Sequence, residues 1–175
     1  MLIVDADLHK PELMKELKGD NNLGLSNVLL GYAELNEAIN FTSIENLHYI
    51  SCGVTPINPA VLLGSAEFKE LMATVCDQYD MVIFDTPPLA SVIDSMIVAS
   101  QTDGTILVIQ PGKVHYKNIE MVKDQLQKSK INLLGVVLNK IPAADYREYY
   151  MDFDYYDSNK KYREWLNKII KRREN

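Results

Sequence analysis

The chain has 175 residues, of which 47% are hydrophobic and 24% are charged, and its formal net charge is −6. This length suits one globular domain with a sizeable core. The acidic balance excludes the extended basic surface that nucleic-acid-binding proteins carry, and the short apolar runs are too short to span a bilayer.

Apolar runs alternate with helical patterns along the chain, which predicts an α/β fold with a parallel sheet covered by helices on both faces. The predicted strands are Met1–Val4, Leu47–Ser51, Met81–Phe84, Thr105–Gln110 and Leu133–Leu138. The predicted helices are Glu12–Lys18, Leu25–Leu30, Ala33–Ile39, Ala66–Gln78, Ser91–Ser100 and Tyr116–Ser129.

The composition changes after Pro142, and we expect three regions. Residues 1–142 form the domain, residues 143–158 a tyrosine-rich tail, and residues 159–175 a C-terminal amphipathic helix. The helix carries an apolar stripe that includes Trp165, with Lys and Arg around it. We expect this stripe to dock on the domain, in preference to a partner or an anionic membrane surface.

Two aspartates follow the first predicted strand. Asp5 and Asp7 are two residues apart, so they face the same side if the extended backbone continues through them. Asp85 ends a second apolar strand, and Pro87 and Pro88 stop that strand. Carboxylates at the carboxyl ends of parallel strands lie where α/β sheets bind ligands.

Three carboxylates at adjacent strand ends repel one another, and Mg²⁺ with nucleotide phosphates would neutralise them. The alternative interpretation makes each aspartate a helix cap or turn residue. The order and spacing of Asp5, Asp7 and Asp85 favour the metal site. Nearby His9 is either a group close to the phosphates or an ordinary polar turn residue, and the second is favoured.

These segments resemble bacterial tyrosine kinases of capsular and exopolysaccharide operons. Leu2–Pro11 resembles their second Walker motif (A-prime), and Val82–Pro88 resembles their Walker B motif. The segments Gly24–Leu29 and Asn58–Ser65 are also similar to the family. The acidic cluster of tyrosines near the C-terminus resembles its autophosphorylation tail. Deviant-Walker ATPases of chromosome partitioning and septum placement share the Asp85-type motif but not the tail.

The resemblance implies a P-loop NTPase fold of the deviant-Walker type and transfer of the ATP γ-phosphoryl group to tyrosine. Asp85 and Asp7 would bind Mg²⁺. Asp5 or Asp7 would accept the tyrosine proton, with Asp5 favoured. Asn139 and Lys140 would contact the nucleotide base. The implied phospho-acceptors are Tyr146, Tyr149, Tyr150, Tyr155 and Tyr156.

The family resemblance also implies partners and a location. The expected activator is a membrane-anchored protein of the polysaccharide co-polymerase type, and the full-length form would assemble as a homo-oligomer. No nucleic-acid partner is expected. Cys52 and Cys76 form no CxxC pair and indicate reduced thiols. We therefore expect a cytoplasmic protein that is held at the inner face of the membrane by its partner.

One motif of the family does not occur in the 175 residues, the phosphate-binding loop GxxxxGK[ST]. In the family this loop precedes the A-prime motif, so we interpret the sequence as an N-terminally truncated kinase that lacks the first strand and the loop. The backbone N–H groups and the lysine of such a loop hold the phosphates. We therefore expect this chain alone to be inactive. Two alternatives are a non-catalytic phospho-acceptor or interaction module, and a partitioning-type ATPase.

Overall fold

The computed structural model describes residues 1–17, 22–89 and 93–141 of the chain. The strands are β1 (Leu2–Asp5), β2 (Ile39–Phe41), β3 (His48–Ile50), β4 (Val82–Asp85), β5 (Thr105–Ile109) and β6 (Leu133–Leu138). The helices are α1 (Leu13–Glu16), α2 (Leu25–Leu29), α3 (Leu35–Ala38), α4 (Pro59–Leu63), α5 (Ala66–Gln78), α6 (Asp94–Ala99) and α7 (Tyr116–Lys128).

Four strands form one sheet in the order β2-β3-β1-β4. β1 is central and runs parallel to both β3 and β4. Its near-continuous apolar sequence is typical of a strand with neighbours on both sides and helices over its faces. The mostly parallel α/β class that the sequence predicts is therefore confirmed.

β2 is the exception to the parallel pairing that the sequence predicts. This strand pairs antiparallel with β3, with Ile39 opposite Ile50 and Phe41 opposite His48. The sequence assigned Ile39 to the end of a helix, but α3 stops at Ala38 and the chain turns directly into the strand. Three residues are too few to show a strand period, so the strand was not predicted.

β5 and β6 form a separate two-stranded sheet. The amide of Thr105 donates to the Asn132 carbonyl, and the amide of Asn139 donates to the Ile109 carbonyl, each at 2.8 Å. By internal contacts the chain divides into two compact units. Among the described residues, one comprises Met1–Leu107 and His115–Gly135, and the other comprises Val108–Val114 with residues 136–141.

The main core lies between β1 and α5. Ser65 caps α5 by accepting a hydrogen bond from the Phe68 amide at 3.2 Å. The apolar residues of α5 then recur at helical spacing on one buried face, so they pack as a row. Phe68 is fully buried, and its ring meets that of Phe84 edge-to-face at 5.8 Å. This packing fixes β4, and thus Asp85, relative to the helix.

A smaller apolar cluster joins α6 and α7 to the β5–β6 sheet. The helix α4 was not predicted, although Asn58 caps it and Pro59 starts it, a favoured arrangement at a helix N-terminus. Within the part of the chain that the structure describes, no helix is both long and apolar enough to cross a membrane.

The outer edge of β4 carries no neighbouring strand among the described residues. Met81 is 56% exposed and Ile83 is 44% exposed at this position. β4 therefore ends the four-stranded sheet with unpaired backbone groups and partly exposed apolar side chains.

Candidate active site

Asp5 and Asp85 lie side by side at the edge of the sheet where β1 and β4 end. They are register partners, and the amide of Ala6 donates to the carbonyl of Asp85 at 2.8 Å. Adjacent strands lie about 4.8 Å apart, so two carboxyl groups share one small region. The prediction that these aspartates end adjacent strands is confirmed.

Asp5 is almost wholly buried, with 1% of its surface exposed. Burial raises the pKa of its carboxyl group to about 6, against the opposing effect of the Asp7 amide, and the charges of Asp85 and Asp7 raise it further. Its Oδ1 accepts that amide at 3.2 Å, while Oδ2 is buried without a hydrogen-bond partner among the described residues. A buried carboxylate oxygen without a partner is costly unless a proton or a cation joins it.

Asp85 is more exposed than Asp5. Partial burial raises the pKa of the Asp85 carboxyl group, and the negative charge of Asp7 raises it further, against the hydrogen bond from the Thr86 amide. The mutual effects on the pKa values show that Asp5, Asp7 and Asp85 form one electrostatic cluster.

Asp7 does not continue the strand. β1 ends at Asp5, so the extended backbone that would place the two side chains on one face stops before Asp7. Oδ1 of Asp7 instead accepts the amides of His9 at 3.1 Å and Lys10 at 2.9 Å. This is the turn role that the alternative interpretation foresaw. Asp7 combines that role with its electrostatic effect on Asp85.

The donor chemistry of this cluster fits Mg²⁺. Carboxylate oxygens are the ligands that Mg²⁺ prefers, and proteins commonly supply only one or two of them, with waters and phosphates completing the octahedron. Within residues 1–17, 22–89 and 93–141, no group of three His, Cys, Asp or Glu side chains is arranged to enclose a metal. The cluster therefore fits an ion that is shared with a phosphate ligand better than a site built by protein alone.

Two further residues lie beside the cluster and were not predicted. Cys52, which follows β3, is buried, and burial with the charge of Asp5 raises the pKa of its thiol to about 11. It is thus protonated and unreactive at neutral pH. Asp94, the first residue of α6, is buried and accepts a hydrogen bond from the His9 imidazole at 2.7 Å. No sequence pattern links two residues this far apart.

Asn139 and Lys140 follow β6 in the second unit. The Oδ1 atom of Asn139 accepts the Lys140 amide at 2.8 Å, and Lys140 adopts a positive φ of 58°. This is the geometry of a polar turn at a strand end. A contact with a nucleotide base stays a prediction. The five tail tyrosines and the C-terminal amphipathic helix lie outside the described residues.

A mostly parallel α/β sheet with paired carboxylates at the ends of two neighbouring strands places the site where open α/β sheets bind their ligands. Residues 1–138 match the family described as AAA domain, and the chain belongs to that family.

Bacterial tyrosine kinases are among the similar proteins, which confirms the resemblance. Tyrosine-protein kinase YwqD of Bacillus subtilis (strain 168) is 38% identical over 149 residues, covering 85% of this chain and 63% of that protein. Tyrosine-protein kinase CpsD of Streptococcus agalactiae is 34% identical over 151 residues, covering 85% of this chain and 66% of that protein. The chain thus spans a little under two thirds of each of these relatives.

Solved structures agree. The VpsO kinase domain superposes with a TM-score of 0.77 and 30% identity, over 81% of this chain and 70% of that chain. The septum site-determining protein MinD of Pyrococcus horikoshii, in complex with Mg-ADP, gives a TM-score of 0.65 and 26% identity, over 84% of this chain and 63% of that chain. The P-loop NTPase fold predicted from the sequence is confirmed.

Proposed function

We propose that this chain is the acidic part of a protein-tyrosine autokinase, which transfers the γ-phosphoryl group of ATP to tyrosines of its own C-terminal cluster. The observation that supports this most strongly is the Asp5–Asp85 pair, two register partners with raised pKa values at one edge of the sheet. Phosphoryl transfer needs little covalent chemistry from protein, and depends on positioning and on neutralising charge.

When Mg²⁺-ATP is bound, the ATP supplies the phosphoryl group, and the Mg²⁺ supplies positive charge that offsets the negative charge of the phosphates. Asp85 and Asp7 would hold the metal from the more exposed side of the cluster. Asp5 would accept the proton of the tyrosine hydroxyl, since a pKa of about 6 lies close to the neutral pH at which a general base works best. Asp7 remains the alternative base because it is less buried than Asp5.

The remaining assignments follow from the resemblance. The acceptors are Tyr146, Tyr149, Tyr150, Tyr155 and Tyr156, and Asn139 with Lys140 would contact the base. Each phosphorylation adds about −1.5 to −2 charge, so a multiply modified tail would repel its neighbours. We propose that this controls capsular or exopolysaccharide synthesis, through a membrane-anchored activator that holds the cytoplasmic kinase at the membrane.

The 175 residues contain no GxxxxGK[ST], so they supply carboxylates for a metal and no such loop for phosphates. We propose that this polypeptide by itself transfers no phosphoryl group, because ATP is an anion and the cluster is negative. The alternative is a non-catalytic module that accepts phosphate from another kinase. A partitioning-type ATPase is the second alternative, favoured by the shared fold of MinD.

The experiment compares two proteins in radiolabelled ATP with Mg²⁺. One is the 175-residue chain, and the other is the same chain fused at Met1 to the strand, GxxxxGK[ST] loop and helix of a bacterial tyrosine kinase. We expect phosphotyrosine only in the fusion, and none in the fusion that carries Asp85→Asn. A folded fusion that binds ATP and stays unphosphorylated would exclude the autokinase.

Two readouts separate the alternatives. Phosphate release by the fusion without phosphotyrosine would identify an ATPase. Mass spectrometry of the 175-residue chain after incubation with an intact kinase tests the tail. Modification of the five tyrosines in that chain, together with a silent fusion, would identify the non-catalytic acceptor.

A further inference from the structure

The start of α6 contacts both loops that carry the acidic cluster. Oδ2 of Asp94 accepts a hydrogen bond from Nε2–H of His9 at 2.7 Å. The hydroxyl group of Ser95, the next residue, donates to the carbonyl of Pro87. Asp94 and Ser95 are both 2% exposed, so these are buried connections.

The first connection reaches the turn of Asp7. His9 donates its amide to Oδ1 of Asp7 and its imidazole to Asp94, so the turn is held from two sides. The imidazole is partly exposed, at 44%, whereas the Asp94 side chain is 3% exposed. A carboxylate this deeply buried needs a donor, and the His9 imidazole supplies one to Asp94.

The second connection reaches the loop after β4. Pro87 lies two residues beyond Asp85, and its carbonyl has Ser95 as donor. The two loops are also joined directly, where the strands end, by the hydrogen bond from the Ala6 amide to the Asp85 carbonyl. The turn at Asp7 lies beyond that bond. The link through α6 thus connects this turn to the loop after Asp85.

We propose that Asp94 and Ser95 are positioning residues that set the separation of Asp7 and Asp85, with His9 as the intermediate on one side. This inference rests on the proposed role of Asp7 and Asp85 as metal ligands. Residues that orient metal ligands from the outer shell commonly change metal affinity by about 10-fold to 100-fold when they are removed.

The test measures Mg²⁺ binding by calorimetry and backbone amide exchange at His9 and Lys10, in the 175-residue chain. Asp94→Ala and Ser95→Ala are each expected to weaken Mg²⁺ binding about 10-fold. Asp94→Ala should also speed exchange at both amides. Ser100→Ala is the matched control, since Ser100 makes the same type of side-chain hydrogen bond, to the Ile97 carbonyl, at the other end of α6. Ser100→Ala should change neither quantity.

A double-mutant cycle separates positioning from general destabilisation. His9→Ala should weaken Mg²⁺ binding, whereas His9→Gln, which can still donate to Asp94, should restore most of it. The double variant of His9→Ala and Asp94→Ala should bind Mg²⁺ no more weakly than Asp94→Ala alone, since both remove one connection. Additive losses, or losses equal in His9→Gln and His9→Ala, would overturn the inference.

The two proposals fail in different ways. If the unaltered chain binds no Mg²⁺ in the absence of phosphates, the inference stands or falls on amide exchange, and the phosphotyrosine assay of the fusion decides the proposed function. Faster exchange at His9 and Lys10 in Asp94→Ala would support the link through α6. If the unaltered chain binds Mg²⁺ and Asp94→Ala and Ser95→Ala change affinity by less than about twofold, the proposed function survives and the positioning role is excluded.

Discussion

Asp5 and Asp85 are register partners in adjacent parallel strands, and the amide that follows Asp5 donates to the carbonyl of Asp85 at 2.8 Å. The backbone thus holds two carboxyl groups together that would separate if they were free to move. Burial raises the pKa of both carboxyl groups, the charge of Asp85 raises that of Asp5 further, and the charge of Asp7 raises both. Binding of a proton or a cation is therefore favoured at this edge of the sheet.

The first prediction concerns the pH dependence of stability. Asp5 has a pKa of about 6 in the folded chain, against 3.8 for an ordinary aspartate. Between these values the folded chain holds a proton that the unfolded chain has released, so this carboxyl group makes the free energy of unfolding fall as pH rises from about 4 to about 6. The loss reaches about 2 to 3 kcal/mol above pH 6. Chemical denaturation at each pH measures it.

Asp5→Asn tests this because it keeps an oxygen for the Asp7 amide and cannot ionise. The free energy of unfolding of the variant, relative to that of the unaltered chain, should rise by about 2 to 3 kcal/mol as the pH increases from 4 to 7. The exposed Asp77→Asn on α5 is the control and should show no such trend. A difference between Asp5→Asn and the unaltered chain that stays constant with pH would contradict the prediction.

The second prediction separates the metal ligands from the base. Mg²⁺ at ten times its dissociation constant should stabilise the unaltered chain by about 1.4 kcal/mol. Asp7→Asn and Asp85→Asn should remove most of this gain, whereas Asp5→Asn should keep most of it. In the fused protein that carries a GxxxxGK[ST] loop, Asp5→Asn should nevertheless abolish phosphotyrosine. Thermal unfolding with and without Mg²⁺ gives the first result. If Asp5→Asn were the only variant to lose the stabilisation by Mg²⁺, Asp5 would be a metal ligand and not the base.

The third prediction concerns the loop after β3. Gly53 has a φ of +76°, and a Cβ atom there would come within 2.2 Å of Oδ1 of Asn27. That oxygen also accepts the amides of Gly24 and Val54. Gly53→Ala should therefore cost about 2 to 4 kcal/mol, from a strained backbone and a broken buried network.

Gly31→Ala is the matched control for that substitution. Gly31 has a similar φ of +72°, and nothing lies within 4 Å of a Cβ atom built there. Its variant should lose only the backbone term, about 1 kcal/mol. Equal losses in urea denaturation of the two variants would show that contact with Asn27 has no part in the effect.

The fourth prediction compares two phenylalanines. Phe68 is fully buried between α5 and β4, and Phe41 at the end of β2 is 78% exposed. Phe68→Ala should reduce the free energy of unfolding by about 3 to 5 kcal/mol, since it leaves a cavity beside Phe84. Phe41→Ala should cost less than about 1 kcal/mol. Similar losses for both would mean that the α5 core is not the main source of stability.

The sequence predicted the elements whose period and caps are local. α5 has the predicted bounds because four apolar residues recur at helical spacing after a Ser cap, and β6 has them because its apolar run is continuous. β2 was missed because its pairing depends on β3 and not on its own three residues. α4 was missed although Asn58 and Pro59 carried the signal for its start.

The same difference between local signals and distant contacts explains why only part of the site was predicted. Motifs placed Asp5 and Asp85 at strand ends, and parallel strands place such ends together. The depth of Asp5, which is 1% exposed, depends on how distant parts of the chain pack around it, which no local pattern encodes. The partner of His9 lies 85 residues away in sequence and comes near only after β4 and α6 have packed. Neither the family resemblance nor the spacing indicated it.

The unpaired outer edge of β4 affects how the purified polypeptide behaves in solution. Such an edge can pair with a second copy, and the acidic residues Asp80 and Asp85 flank it. If two copies paired in parallel, each aspartate would lie near the same aspartate of the other copy. In antiparallel pairing, Asp80 would lie near Asp85. Either arrangement therefore brings carboxylates together. Acid or Mg²⁺ cancels that repulsion. Light scattering should therefore accompany every titration, because the Mg²⁺ that binds the site also weakens the repulsion between carboxylates that keeps two copies apart.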